Sequence, residues 1–251
     1  MQDSSRSAGH RGKEVSFVTL PRDRLIVALD VPSVDDAKTL IDKLGDSVGV
    51  YKIGLELLFC DGFALAQELG RREVPVFVDA KLLDIEATVE RATAAIARMG
   101  VAFLTVHALD KKTLAAAVRG RGDSTLKLLG VTVLTNLAPA DLVEQGCDHP
   151  LAELVLHRAR LAMECGFDGV IASGHEAAKI RSATGPDFLI VTPGVRPQGA
   201  DAQDQTRAVT PASAIKAGAD YLVVGRPITR AADPRAAAEA IVAEIDATLA
   251  D

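Results

Sequence analysis

Val74-Pro75-Val76-Phe77-Val78-Asp79-Ala80-Lys81-Leu82-Leu83-Asp84-Ile85 is the stretch from which the rest of this chain is read. Its first five residues are apolar and rich in β-branched and aromatic side chains, as expected of a strand covered on both faces. Asp79 and Lys81 are two positions apart, so on an extended chain their side chains leave the same face. Asp84 falls just beyond, where the chain enters a loop ahead of a helical run beginning near Ala87. Two carboxylates flanking an ammonium at the end of a buried strand suit proton transfer. Taken alone, the same spacing also fits a surface cluster of ion pairs.

Outward from this strand the chain alternates strand-like and helix-like segments at near-regular spacing. Strands are expected at 25–30, 49–54, 76–81, 103–107, 126–135, 169–173, 188–194 and 221–225. Amphipathic helices are expected at 34–44, 62–71, 87–99, 112–118, 151–165, 175–184 and 211–216, with a last helix at 234–249. Eight strands, each followed by a helix, predict an α/β protein with a single (β/α)8 TIM barrel. A doubly wound open sheet has the same periodicity and stays as the alternative. No linker-like composition interrupts the run, so residues 21–251 read as one catalytic domain. Residues 1–20 are polar at their start and read as a frayed or disordered extension.

A barrel of this kind carries its polar functional residues at the C-terminal ends of different strands. Asp30, Lys52, Asp79 with Lys81, His107 and Thr135 fall at the expected ends of the first five strands. Arg196 follows the seventh, and Gly225-Arg226 the eighth. The loops Thr192-Pro193-Gly194-Val195-Arg196-Pro197 and Gly225-Arg226-Pro227-Ile228-Thr229 stand where such barrels often bind phosphate. There glycine lets backbone N–H groups approach an anion and arginine offers a forked set of charged donors. Each loop alone also reads as a turn with a solvated arginine.

Composition narrows the function. With 251 residues and a net charge of −6, the chain can bury a sizeable core, and broad nucleic-acid binding is not expected. No apolar run reaches a membrane span, and no secretory signal pattern is present at the start. Cys60, Cys147 and Cys165 have no metal-type spacing; they suit a reducing cytoplasm and buried structural roles. His10, His149, His157 and His175 read as surface or capping positions, and Ser173-Gly174-His175 as a helix start.

The motifs together resemble the orotidine 5′-monophosphate decarboxylase family, of the common bacterial kind. The resemblance runs from about Leu25 to about Thr229. It rests on Ile26-Val27-Ala28-Leu29-Asp30, Tyr51-Lys52-Ile53-Gly54, 79–85, Val131-Thr132-Val133-Leu134-Thr135, 192–197, Asp204-Gln205-x-Arg207 and 223–229. It implies loss of CO2 from orotidine 5′-monophosphate without cofactor or metal, giving uridine 5′-monophosphate in pyrimidine biosynthesis in the cytoplasm. By the same match Lys81 is the proton donor to C6 and Asp79 faces the leaving carboxylate. Lys52 and Asp84 extend the charge array, with Asp84 and Thr88 supplied across a homodimer interface. Asp30, Lys52 and Thr88 address the ribose, Ile85 and Thr135 contact substrate, and Arg196, Gln205, Gly225 and Arg226 hold the phosphate. The segments 136–150 and 196–210 would cover the site.

Two departures stand out. Where the family usually shows Leu-His-Asp-Ile-Pro-Asn-Thr after the lysine, this chain has Leu82-Leu83-Asp84-Ile85-Glu86-Ala87-Thr88. Asn136 replaces a common serine after strand five; its amide both donates and accepts, so base recognition can persist in altered geometry. Two rivals remain open: an Mg2+-dependent sugar-phosphate barrel, for which Glu56 is the only candidate ligand noted, and a non-catalytic nucleotide-phosphate binder. The second has no need of Lys81 with both aspartates.

Overall fold

The computed structural model describes residues 20–197 and 207–250. The N-terminal stretch up to residue 19 and Gln205 lie outside the described residues. Eight parallel strands close on themselves in sequential order: β1 (Leu25–Ala28), β2 (Val50–Ile53), β3 (Val76–Leu82), β4 (Phe103–His107), β5 (Lys127–Val131), β6 (Gly169–Ile171), β7 (Leu189–Thr192) and β8 (Tyr221–Val224). Closure is made by β1 against β8, with Ile26 opposite Val223. The open-sheet alternative is thereby removed.

Helices follow the strands: α1 (Val34–Leu44), α2 (Leu55–Leu57), α3 (Phe63–Arg71), α4 (Glu86–Ala97), α5 (Lys111–Arg121), α6 (Pro139–Glu144), α7 (Leu151–Glu164), α8 (Gly174–Thr184), α9 (Pro211–Lys216), α10 (Arg226–Thr229) and α11 (Pro234–Ala250). The local reasons are those the sequence suggests. In α1, Ser33 accepts from Asp36 N at 3.1 Å and caps the start. Ala37, Leu40, Ile41 and Leu44 bury one stripe, and Gly45 ends the helix at φ 56°. Ser173 caps α8, accepting from the backbone N–H of His175. No helix among the described residues is long and apolar enough to cross a membrane.

Side-chain alternation divides the core in two. Ile26, Val50, Phe77, Phe103, Leu129, Val191 and Tyr221 form one cluster, and the remaining strand and helix residues form a larger one. Phe103 meets Phe77 and Tyr221 edge to face, at centroid distances of 6.0 and 5.3 Å. The first cluster fills the barrel interior as a packed layer. Two residues further along the strands, the same inward parity brings up Lys52, Asp79 and Thr105, all buried. The hydrophobic layer is thus the floor on which the polar residues stand.

Three expectations need correction. First, β3 is not uniformly extended. Its register on β4 slips between Val78 and Leu82, and Lys81 sits at φ 49°, in the left-handed region that non-glycine residues rarely occupy. Second, β5 stops at Val131, because its neighbours stop there: Val131 pairs with His107, the last residue of β4, and with Ile171, the last of β6. Thr135 therefore lies in the following loop rather than at the strand end, and Asp30 likewise lies two residues past β1. Third, none of the three thiols is buried. Cys60 is exposed, and Cys147 and Cys165 are half-buried.

Candidate active site

Four charged side chains line up across the C-terminal mouth of the barrel. Lys52 Nζ lies 3.1 Å from Asp30 Oδ1 and 3.5 Å from Asp79 Oδ2. Lys81 Nζ lies 2.8 Å from the same Asp79 oxygen. The order Asp30, Lys52, Asp79, Lys81 alternates in sign, drawn from the loop after β1 and from β2 and β3. The glycine of Tyr51-Lys52-Ile53-Gly54 has a definite task here. A Cβ on Gly54 would sit 2.8 Å from Lys52 Nζ and 3.1 Å from Asp30 Oδ1, so a side chain would intrude on that pair.

Thr105 on β4 joins the array, although sequence reasoning did not single it out. Its hydroxyl donates to Asp79 Oδ1 at 2.8 Å and accepts from the backbone N–H of Lys81 at 3.0 Å. One buried hydroxyl thus orients the carboxylate and satisfies the donor of the strained residue. Strain at a residue held on several sides is common at functional sites. The parity that places His107 at the rim places Thr105 one layer below it, and that was the signal available.

The electrostatics follow from burial and charge. Burial alone pushes the Asp79 carboxyl up, but the Lys52 and Lys81 ammoniums and hydrogen bonds from Lys81 and Thr105 outweigh it. They hold the group below its ordinary value, so it is ionised at neutral pH. His107 is moved down, first by burial and then by the positive charges of Lys81 and Arg158, with Asp79 opposing. Arg158, from α7, donates to the Thr132 carbonyl at 2.5 Å and so braces the chain just past β5. Nothing in its sequence context marks that contact.

Beside Lys52, Asp79 and Lys81 opens a cavity of about 180 Å3. Its remaining wall is mostly apolar, with Val131, Val133, Ile171, Pro193 and Val223, and Thr135 and Asn136 at one side. The sequence reading did not identify this apolar wall. An apolar slot with a few convergent polar groups suits a flat ring ligand.

Arg196 follows β7 and is buried; its N–H donates to Val209 O at 2.9 Å. Gly225 caps α10, where a Cβ would come to 3.6 Å from Ala28 Cβ and 3.8 Å from Asp30 Oδ2, and Arg226 opens that helix. The two loops expected to hold phosphate therefore stand side by side across β7 and β8. Asp84, Ile85 and Thr88 behave differently. They lie at the start of α4, Asp84 and Ile85 are exposed, and none of them lines the cavity. Asp84 accepts from the backbone N–H of Ile85 at 2.6 Å and makes no ion pair among the described residues. Glu56 is in α2, away from the cavity lining. Among the described residues no group of three His, Cys, Asp or Glu is arranged to hold a metal.

Comparison with known proteins agrees with this arrangement. Residues 23–241 match the Orotidine 5′-phosphate decarboxylase / HUMPS family. The orotidine 5′-phosphate decarboxylase of Rhodopseudomonas palustris (strain BisB5) is 56% identical over 224 residues, covering 89% of this chain and 95% of that protein. That of Caulobacter vibrioides (strain NA1000 / CB15N) is 54% identical over 226 residues, covering 88% and 97%. A crystal structure of orotidine 5′-phosphate decarboxylase from Lactobacillus acidophilus superposes with a TM-score of 0.78 at 40% identity, covering 88% of this chain and 98% of that one.

Proposed function

Because the chain belongs to the Orotidine 5′-phosphate decarboxylase / HUMPS family, we propose that it is an orotidine 5′-phosphate decarboxylase, converting orotidine 5′-monophosphate to uridine 5′-monophosphate. The observation that carries the reading is the alternating row from Asp30 to Lys81 beside an apolar, ring-sized cavity. The reaction is a step of pyrimidine biosynthesis and belongs in the cytoplasm.

The chemistry has one hard demand. When the bond from C6 to the carboxylate breaks, the electron pair stays on a ring carbon with no good means of delocalisation. A preorganised ammonium beside that carbon meets the demand, and Lys81 is that group. Its proton passes to C6 as CO2 leaves, and the neutral amine recovers a proton from water. Asp79, ionised and 2.8 Å from Lys81 Nζ, holds the ammonium in position before the substrate arrives. With substrate bound, Asp79 faces the departing carboxylate. Lys52 and Asp30 take the ribose hydroxyls, and Thr135 and Asn136 take the polar edge of the ring, with the apolar wall against its faces. Arg196, Gln205, Gly225 and Arg226 hold the phosphate, whose binding energy positions the distant reacting carbon.

Asp84, Ile85 and Thr88 act in a neighbouring subunit's site. That none of them lines their own cavity supports this, as does the apolar surface of the same stretch: Leu83 is 51% and Ile85 73% exposed. A homodimer buries that surface and completes each site with the partner's Asp84 and Thr88.

The test is loss of the orotate ultraviolet absorbance when chelator-treated protein meets orotidine 5′-monophosphate. Loss that survives chelation, and falls by at least about a thousandfold in Lys81→Ala, is expected. No loss with the unaltered protein sinks the assignment; loss only after Mg2+ is added points instead to the sugar-phosphate barrels.

A further inference from the structure

A second buried ion pair lies outside the catalytic row. Glu176, in the first turn of α8, is 5% exposed, and its Oε1 accepts a charged hydrogen bond from Arg207 Nη2. Its other oxygen, Oε2, is buried and has no hydrogen-bond partner among the described residues. Arg207 is itself largely buried, with 18% of its side chain exposed. A carboxylate left half-satisfied in an apolar setting is costly, and the cost needs a reason.

That reason lies two residues beyond the arginine. Val209 O accepts from Arg196 N at 2.9 Å, and Val195 and Val209 pair as an isolated parallel bridge. The methyl groups of Val209 occupy the space above Gly174, where a Cβ would meet them at 3.0 and 3.1 Å. The short segment from Arg207 to Val209 is therefore fastened to α8 twice, by the ion pair and by the valine on the glycine. Arg196 hangs from the same segment through its own backbone. Downstream, Thr210 caps α9, accepting from Ser213 N at 3.1 Å, so the segment is anchored at that end too.

We propose that Glu176 and Arg207 are positioning residues for the phosphate site: they hold the segment that sets the backbone of Arg196. The proposal rests on the decarboxylase reading for the identity of the anion. It predicts a defect confined to phosphate recognition. Removing either partner leaves the other buried and unpaired, lets the segment shift, and moves Arg196 off the anion while leaving the row of Asp30, Lys52, Asp79 and Lys81 in place.

The experiment compares Glu176→Ala, Arg207→Ala and the double variant with the unaltered enzyme. For each, kcat/KM for orotidine 5′-monophosphate is measured, with inhibition constants for uridine 5′-monophosphate and for uridine, which lacks the phosphate. The expected result is a fall of about tenfold to a hundredfold in kcat/KM, with weaker uridine 5′-monophosphate binding and unchanged uridine binding. The double variant should be no worse than the worse single variant, since the pair acts as a unit. It also leaves no lone buried charge if a single variant fails to fold. Arg207→Lys should recover part of the loss. Equal weakening of both inhibitors would mean a general structural role and overturn the proposal, as would wild-type behaviour throughout. Absence of turnover in the unaltered protein instead defeats the decarboxylase reading, and calorimetric titration with the two uridine compounds still decides the role of the pair.

Discussion

Thr105 stands at the junction of Asp79 and Lys81, giving its hydroxyl proton to the carboxylate at 2.8 Å while taking the backbone N–H of the lysine at 3.0 Å. The carboxylate lies 2.8 Å from the Lys81 ammonium, and the backbone of Lys81 is held at a φ of 49°. Thr105→Val keeps the shape but removes both bonds. It strands a buried N–H and a carboxylate oxygen, at a cost of about 1–3 kcal/mol for each unsatisfied group. The expected outcome is a lower melting temperature with kcat reduced about tenfold to a hundredfold, while Thr105→Ser retains most of both. Steady-state kinetics beside thermal melts check it; unchanged kcat in the valine variant would show that Lys81 needs no such support.

Acidification should act through His107 before it acts through Asp79. Burial and the nearby cations lower the histidine pKa in the folded protein below its ordinary value of 6.5. As pH falls below that value, the unfolded chain takes up a proton that the folded chain refuses, so stability drops until the folded pKa is reached. The depressed Asp79 carboxyl contributes stability that is present above its unfolded pKa, near 4, and lost only as pH falls through its lower folded value. Between about pH 7.5 and pH 5.5 the loss from this pair is the histidine's alone. His107→Asn should therefore show a smaller fall in melting temperature across that interval than the unaltered protein. An identical fall would mean that the histidine titrates normally.

Gly54→Ala is expected to damage function and spare stability. The glycine has extended backbone angles that alanine adopts freely, so no backbone strain arises. The added methyl meets only the tips of Lys52 and Asp30 at the cavity. We expect kcat/KM to fall about tenfold or more with a melting temperature within about 2 °C. A matching loss of stability would mean that the Lys52–Asp30 pair holds the barrel mouth together rather than the substrate.

What could be read from the sequence follows from parity. Inward-facing positions on a barrel strand recur every second residue, so apolar Val50 and Phe77 predict that Lys52 and Asp79 rise from the same interior. That is why the eight strands and the row from Asp30 to Lys81 were legible. The break at Lys81 was not, because its positive φ carries no glycine, proline or asparagine to announce it. The end of β5 was hidden for another reason: the apolar run continues through Val133 and Leu134, and only the length of the neighbouring strands stops the ladder at Val131. Glu176 and Arg207 are 31 residues apart, and no local pattern brings such a pair together.

The proposed sharing of the site between subunits gives the last prediction, and it can be tested without mutating a dimer interface. Asp84 lies exposed and unpaired with Lys81 within its own chain; on the proposed reading each site takes the carboxylate of the other subunit. Lys81→Ala and Asp84→Asn should each be nearly inactive alone. In a mixed dimer, one of the two sites receives Lys81 from the Asp84→Asn chain and Asp84 from the Lys81→Ala chain, and is intact. The other site lacks both. Unfolding and refolding equal amounts together should make about half of the dimers mixed, and so restore about a quarter of the unaltered activity. If both groups came from one chain, no mixed dimer would hold an intact site and activity would stay at the level of the separate variants. A tagged purification of the mixed species separates failed exchange from a failed idea: active mixed dimers support the shared site, and isolated but inactive ones end it.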